Sequence, residues 1–260
     1  MNILVTGAGG TIGRVFCAQL TARGDVPVPW NRRMVPIDDY HAMETFVRSS
    51  GVDAVVHLAI ASRPTGRDNE SWLVNYEWSS ELAWITRALG IPFLFASTVL
   101  VFSDRAEGPF LPDSEPDASE GYGGEKRRAE ERVRYQNPAA RIARLGWQIE
   151  HSPQGNQMVA WLEQRHREDG EVRASRRWLP ACSFLEDTVV ALRRLIDAPP
   201  GIYHLDANRR WTFFDIATAL NAHLGGGWTI VPDDSFAQDQ RMRDERVAMP
   251  SLRERLPDLP

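Results

Sequence analysis

Tyr122 and Lys126 are the pair of residues with the most chemistry to offer. Four positions apart near the start of a helical stretch, they fall on one helix face. A free phenol ionises near pH 10, and an ammonium alongside favours its phenolate, so the pair suits proton transfer near neutral pH. Lys126 is also the only lysine among thirty Lys plus Arg residues. A chain that writes its positive charge as arginine keeps an ammonium where a guanidinium will not serve, since the two differ in shape and in how readily their pKa shifts. Chance placement is the alternative. Gly123 and Gly124, between them, each cost a helix about 1 kcal/mol relative to alanine, which makes sense if something packs closely there. An exposed helix with an incidental tyrosine is the competing reading. Thr98, with Ser97, ends an apolar run and offers a hydroxyl at the carboxyl end of a strand, where a parallel sheet places its ligands. Capping of backbone is the other use of such a hydroxyl.

The first fourteen residues provide for a second reactant. Asn2–Thr6 is a short, apolar, β-branched run that reads as a buried strand. Gly7, Gly10 and Gly13 follow at three-residue spacing around Thr11 and Ile12, and Ile12, Val15, Phe16 and Leu20 then recur at helical spacing until Gly24. Strand, glycine turn and helix in succession form the context of a dinucleotide site. Glycines let the backbone approach a pyrophosphate, and the helix N-terminus offers N–H groups and a positive dipole end. The spacing is G-x-x-G-x-x-G, not G-x-G-x-x-G, and a purely structural turn is the alternative. Asn31, Arg32 and Arg33 stand at the end of the second predicted strand with no acid nearby in sequence. An acid there would bind a ribose 2′-hydroxyl and an arginine a 2′-phosphate. The expected cofactor is therefore NADP(H), helped by Arg14, with NAD(H) as the alternative if Arg32 and Arg33 are only solvated.

The elements that must position these residues alternate. Val26–Trp30 is a strand weakened by Pro27 and Pro29, and Met34–Ile37 is a short strand candidate. A helix over Asp39–Ser50, a buried strand over Asp53–Ala59 and a polar loop at 61–69 containing Pro64 follow. Trp72–Leu89 reads as a long helix, Ile91–Ser97 as a buried strand, 104–120 as an acidic, proline-bearing surface loop, Gly121–Tyr135 as a charged helix and Ala140–Leu145 as a strand. This order predicts an α/β fold, a Rossmann-type doubly wound parallel sheet with right-handed crossovers. Beyond Leu145 the pattern changes. Met158–Arg167, Phe184–Ile196 and Phe213–Leu224 read as helices, Gly201–Leu205 as a late strand, Gly225–Gly227 as a helix break and 233–260 as a charged tail. We expect a cofactor-binding domain over 1–146. Residues 147–260 are expected to form a small substrate lobe interleaved with late strands and helices of the first domain.

Composition narrows the classes. With 260 residues, one large α/β domain with or without an appendage is expected. A net charge of −5 with 25% charged residues of both signs argues against a nucleic-acid protein. Cys17 and Cys182 are far apart, Cys17 reads as a buried thiol, and no Cys or His spacing points to a metal. No apolar run approaches membrane length. A strand starting at Asn2 leaves no room for a signal peptide, so the cytoplasm is the expected compartment.

Taken together, the glycine turn, Ser97–Thr98 and Tyr122-Gly-Gly-Glu-Lys126 resemble the extended short-chain dehydrogenase/reductase superfamily. Within it, the chain is most similar to the dTDP-4-dehydrorhamnose reductase family. Arg144-Leu-Gly-Trp147 resembles its Arg-x-x-Trp, Gly155–Asn156 its Gly-Asn, Gly201-Ile-Tyr-His-Leu205 its Gly-x-Tyr-His strand, and Arg241–Arg246 its C-terminal arginine pair. The resemblance implies that Thr98, Tyr122 and Lys126 form a catalytic triad. It also implies that Ile37, Leu58, Ala59, Ile60 and Asn75 line the cofactor cleft with Gly7–Gly13, and that Thr98, Trp147, Asn156, Arg241 and Arg246 meet the substrate. It implies NADPH-dependent reduction of a nucleotide-linked 4-keto sugar by a homodimer assembled through helices such as Trp72–Leu89 and Gly121–Tyr135. A nucleotide-sugar epimerase of the same superfamily and a non-enzymatic NADP-binding regulatory subunit are the alternatives. Val99 and Leu100 depart from the Asp-Tyr often found after that threonine, and Pro36 stands where the resemblance expects an acid near adenine.

Overall fold

The computed structural model describes residues 1–62 and 65–260; Arg63 and Pro64, in the 61–69 loop, lie outside the described residues. The chain forms two compact units. The first is drawn from Met1–Ser103, Glu115–Arg144 and Leu192–Tyr203, the second from Asp104–Ser114, Leu145–Ala191 and His204–Pro260.

The elements run β1 (Asn2–Thr6), α1 (Thr11–Ala22), β2 (Val26–Pro29), α2 (Tyr40–Ser49), β3 (Ala54–His57), α3 (Glu70–Trp72), a π-helical turn (Leu73–Glu77) and α4 (Trp78–Leu89). Then come β4 (Phe93–Thr98), a 3₁₀ turn (Val99–Val101), α5 (Gly121–Gln136), β5 (Arg141–Leu145), β6 (Trp147–Ile149) and α6 (Met158–Asp169). The chain closes with β7 (Val172–Leu179), β8 (Cys182–Phe184), α7 (Leu185–Leu195), β9 (Gly201–Leu205), α8 (Phe213–Leu224), β10 (Ile230–Asp239) and α9 (Leu252–Arg255). The central six-stranded parallel sheet has the order β2-β1-β3-β4-β5-β9, with β1, β3 and β4 inside it. All residues of β3 and β4 are buried, as expected of parallel strands covered on both faces. Leu4, Val55, Phe93 and Phe95 pack there with Trp78, Leu82, Ala129 and Val133 from the helices. Burial of each large side chain contributes about 1.5–3 kcal/mol.

β2 lies at the sheet edge, where the missing N–H groups of Pro27 and Pro29 leave the ladder intact. Met34–Ile37 is not a strand. The N–H groups of Met34 and Val35 both turn back to the Asn31 carbonyl, and the Trp30 indole N–H binds the Val35 carbonyl, so the segment is wound into turns. The predicted 72–89 helix is broken by its π-helical turn, a feature that often accompanies function.

In the second unit, β7 pairs with β10 and β6 with β8, both parallel. α8 opens on a reciprocal Thr212–Asp215 capping box and ends at Gly225 with φ 58°, as the glycine run predicts. The 233–260 segment is not a mere solvated tail: it completes β10, and Leu252, Leu256 and Leu259 are buried beside Trp211 and Trp228. Among the described residues, no helix is long and apolar enough to cross a membrane.

Candidate active site

The first unit holds the glycine turn and every residue expected to do chemistry. Gly7 has φ 67°, and a β-carbon there would stand 2.9 Å from the Ala59 backbone, so the turn lies directly against the end of β3. A β-carbon on Gly13 would overlap the Gly7 carbonyl oxygen and approach Ala8 Cα to 2.7 Å. Gly10 caps α1 without a side chain, and the first turn of α1 carries no acid. The Thr6 hydroxyl accepts from the N–H groups of Leu58 and Ala59 at 3.1 and 3.2 Å, which fixes the end of β3 beside the turn. Ile37 and Leu58 are buried and Ile60 is exposed.

α5 packs against β4 and the 3₁₀ turn that follows it. A β-carbon on Gly123 would overlap the Leu100 carbonyl oxygen, so the packing expected at the two glycines is backbone against backbone. One turn on, Lys126 is fully buried with Nζ 4.0 Å from the centre of the Phe95 ring and without a hydrogen-bond partner. Desolvation brings its pKa down to about 7 against the opposing pull of Glu130 and Glu125. Thr98 stands at the end of the same strand, 9% exposed, and its oxygen accepts from the Leu100 N–H at 3.2 Å. It therefore caps the 3₁₀ turn, and its own proton is left to donate.

Tyr122 corrects one expectation. Its phenol is held well above the ordinary value, first by desolvation and then by the Glu125 carboxylate, and not lowered by the lysine. The reason is that Lys126, itself desolvated, is a weak source of positive charge. Asn75 sits in the π-helical turn, 1% exposed, and is fully engaged: Oδ1 accepts from Ala61 N–H at 3.1 Å, and Nδ2 donates to Glu125 at 2.8 Å. It ties the segment after β3 to α5 and positions the cleft lining rather than offering a free amide.

Asn31, Arg32 and Arg33 are all exposed, and the Asn31 side chain accepts from the Arg33 N–H. Arg32 has an acid close by after all: folding brings Glu70 to 3.6 Å. Sequence distance hid it.

Thr98 apart, the residues expected to meet substrate belong to the second unit. Trp147 stacks on Trp178 and Phe213 with ring centres 6.1 and 5.8 Å away, and meets Trp161 edge-on. Trp161 and Trp178 were not singled out by the sequence, because no helical or strand period links them to Trp147. Asn156 is exposed in the loop before α6. Arg241 and Arg246 are each paired with the acid two residues upstream, at 2.6 Å to Asp239 and 2.8 Å to Asp244. Each is thus a partly neutralised cation.

The RmlD substrate binding domain family matches residues 1–235. A spore coat polysaccharide biosynthesis protein, SpsK of Bacillus subtilis, is 26% identical over 227 residues, 86% of this chain and 80% of that protein. A dTDP-4-dehydrorhamnose reductase of Mycolicibacterium smegmatis is 28% identical over 231 residues, 86% of this chain and 69% of that protein. In structure, the chain is similar to a dTDP-4-dehydrorhamnose reductase of Clostridium acetobutylicum, with a TM-score of 0.85 at 20% identity over 100% of this chain and 98% of that one. It is also similar to one of Bacillus anthracis in complex with NADP, with a TM-score of 0.83 at 18% identity over 99% and 98% of the two chains. With a Rossmann-like sheet, the glycine turn and the Tyr-x-x-x-Lys helix in place, the chain belongs to the RmlD substrate-binding-domain family of extended short-chain dehydrogenases/reductases.

Proposed function

We propose that the protein is an NADPH-dependent reductase of a nucleotide-linked 4-keto sugar. The observation that carries this is Lys126 Nζ, buried and without a hydrogen-bond partner, one turn after Tyr122 on the helix packed against β4. A buried cation of this kind is costly unless a ligand completes it. The ribose hydroxyls of a dinucleotide lying along the glycine turn of the same unit would do so. The Gly7 and Gly13 contacts hold the turn tight against the end of β3 and the start of α1, Gly9 carries no side chain and faces open space, and the acid-free first turn of α1 suits a pyrophosphate's charge. The donor set therefore fits the cofactor, with Gly7–Gly13, Arg32, Arg33, Ala59 and Lys126 holding it. Trp147, Asn156, Arg241 and Arg246 of the second unit would hold the sugar nucleotide. The named reductases among its relatives support this substrate class.

When bound, NADPH supplies a hydride to the keto carbon. Tyr122 gives its proton to the carbonyl oxygen, and the raised phenol pKa keeps that proton in place until negative charge develops there. The Thr98 hydroxyl, its oxygen already satisfied by Leu100, donates to the same oxygen. Lys126 holds the ribose and stabilises the phenolate left behind.

The test is stoichiometry. With dTDP-4-dehydrorhamnose, loss of NADPH should match sugar reduced. Sugar conversion without net loss of NADPH would make the protein an epimerase. Tight NADPH binding with no turnover across nucleotide 4-keto sugars would make it a cofactor-binding subunit. The same reading expects a homodimer in the cytoplasm, and sedimentation of the purified protein checks the dimer.

Cofactor choice gives a finer test. NADPH should bind more tightly than NADH, and Arg32→Asp should narrow or reverse the gap. Glu70 holds Arg32 in a half-exposed ion pair, and surface pairs contribute about 0.2–1 kcal/mol. Glu70→Gln should free Arg32 and tighten NADPH by up to about fivefold at low salt, leaving NADH unchanged. Fluorescence titration reads both, and equal affinities in the native protein would remove the arginines from the site.

A further inference from the structure

The buried face of α5 carries a second charged group one turn beyond Lys126. Glu130 is 3% exposed and both of its oxygens are occupied. Oε1 accepts from Ser97 Oγ at 2.5 Å and from Arg144 Nε at 3.0 Å, and Oε2 from Arg144 Nη2 at 2.7 Å. Arg144, on β5, is 1% exposed and lies over the Phe102 ring at 5.0 Å. Ser97 is the neighbour of Thr98 on β4. A lysine and a glutamate at i and i+4 on one helix ordinarily pair, yet Lys126 Nζ has no hydrogen bond.

We propose that Glu130, locked by Arg144 and Ser97, is a positioning residue for Lys126. With both carboxylate oxygens taken, Glu130 is kept from capturing the ammonium, while its negative charge stays one turn away. The inference rests on the reading of Lys126 as the group that meets the cofactor ribose and the phenol. Its geometry is independent of any ligand.

The groups facing Lys126 are few. On its own helix are Tyr122, Glu125 and Glu130, and Glu125 is engaged by Ser71 and Asn75 at 2.7 and 2.8 Å. From β3 comes His57, kept neutral by burial and then by Lys126 itself. From β4 comes the uncharged Phe95 ring. From β5, Arg144 acts through Glu130. Glu130 is thus the largest favourable influence on the ammonium against its desolvation. The lock also explains two observations together: why the ammonium is unpaired although a carboxylate lies one turn away, and why Ser97, next to Thr98, is held by a buried carboxylate.

The test uses the fact that Lys126 is the only lysine. Protein grown on ¹³C-lysine gives a single lysine Cε signal, whose titration midpoint is read without cofactor or substrate. The native midpoint should fall near 7. Glu130→Gln should lower it by about one pH unit, because a favourable charge is lost. Arg144→Gln should raise it by about one pH unit, because the released carboxylate pairs with Lys126. The double variant should fall between Glu130→Gln and the native protein. If Arg144→Gln does not fold, the order of the two Glu130→Gln proteins against the native one decides, since they bury no unpaired carboxylate. A purely mechanical role predicts no ordered shift. Unmoved midpoints in folded variants, or shifts of one sign in both single variants, would overturn the proposal. Failure of the native protein to bind NADPH would sink the reductase reading and leave the titration result standing.

Discussion

Lys126→Met should give a protein at least as stable as the native one and nearly devoid of turnover. The ammonium is fully buried with no hydrogen bond, compensated in part by the Phe95 ring face at 4.0 Å. Methionine fills the same space, and its sulfur makes a comparable contact with the ring. It leaves no buried donor to satisfy. Activity should fall by about 10²–10⁴-fold if the lysine serves the phenol and the ribose as proposed.

The pH dependence of stability separates this account from a simple packing effect. The folded-state pKa of Lys126 lies near 7, below the ordinary value for a free lysine. Between the two values the unfolded chain binds the extra proton, so the native protein gains stability as pH rises through that window and loses it as pH falls toward 7. The slope is at most about 1.4 kcal/mol per pH unit, and Lys126→Met should lack it. Thermal melts of both proteins between neutral and mildly alkaline pH make the comparison. Parallel curves would show that folding does not lower the Lys126 pKa. Lys126→Arg is the harsher change: a larger, planar cation must fit a closed space, so loss of activity should come with a loss of about 1–3 kcal/mol in stability.

Gly13→Ala should damage both fold and cofactor binding, while Gly9→Ala should spare the fold. Gly9 lies in the turn and Gly13 at the start of α1, and a β-carbon at Gly13 runs into the Gly7 carbonyl and the Ala8 Cα, whereas at Gly9 it meets nothing within 4 Å. The obstructing atoms at Gly13 are backbone, so they cannot swing aside, and α1 must move away from the turn. Overpacking of this kind ordinarily costs about 1–3 kcal/mol, and the upper end is expected here. NADPH binding should be lost at Gly13→Ala, because the N–H groups at the start of α1 move with the helix. Denaturant melts of both variants read the stability difference, and fluorescence titration reads the cofactor. Equal stability of the two would mean that the helix does not pass as close to the turn as the structure has it.

The parts legible in the sequence were those encoded within one or two turns of chain. The glycine turn announced itself because close approach of backbone to backbone admits no other residue at Gly7 and Gly13. The Gly225 break that ends α8 followed from φ preference. Tyr122 and Lys126 shared a helix face by period alone, and the packing demand at Gly123 showed in the presence of a poor helix former. Each of these signals is a property of local backbone geometry, so a single sequence carries it.

What only the tertiary structure decided was partnership and solvent exposure. Glu70 reaches Arg32, and Arg144 takes Glu130 from Lys126, because strands and helices distant in sequence are brought side by side. Trp178 stacks on Trp147 and Trp161 meets it edge-on, from a strand, a strand and a helix that share no period. The 230–239 segment, charged and broken by proline, became a strand because β7 offered it a partner edge. The clearest case is the phenol of Tyr122. Spacing puts a cation near it and predicts a lowered pKa, but packing strips water from both groups, weakening the cation and penalising the phenolate, so the proton stays on. Spacing sets which groups share a face. Desolvation, which depends on everything packed around them, sets which of them are charged.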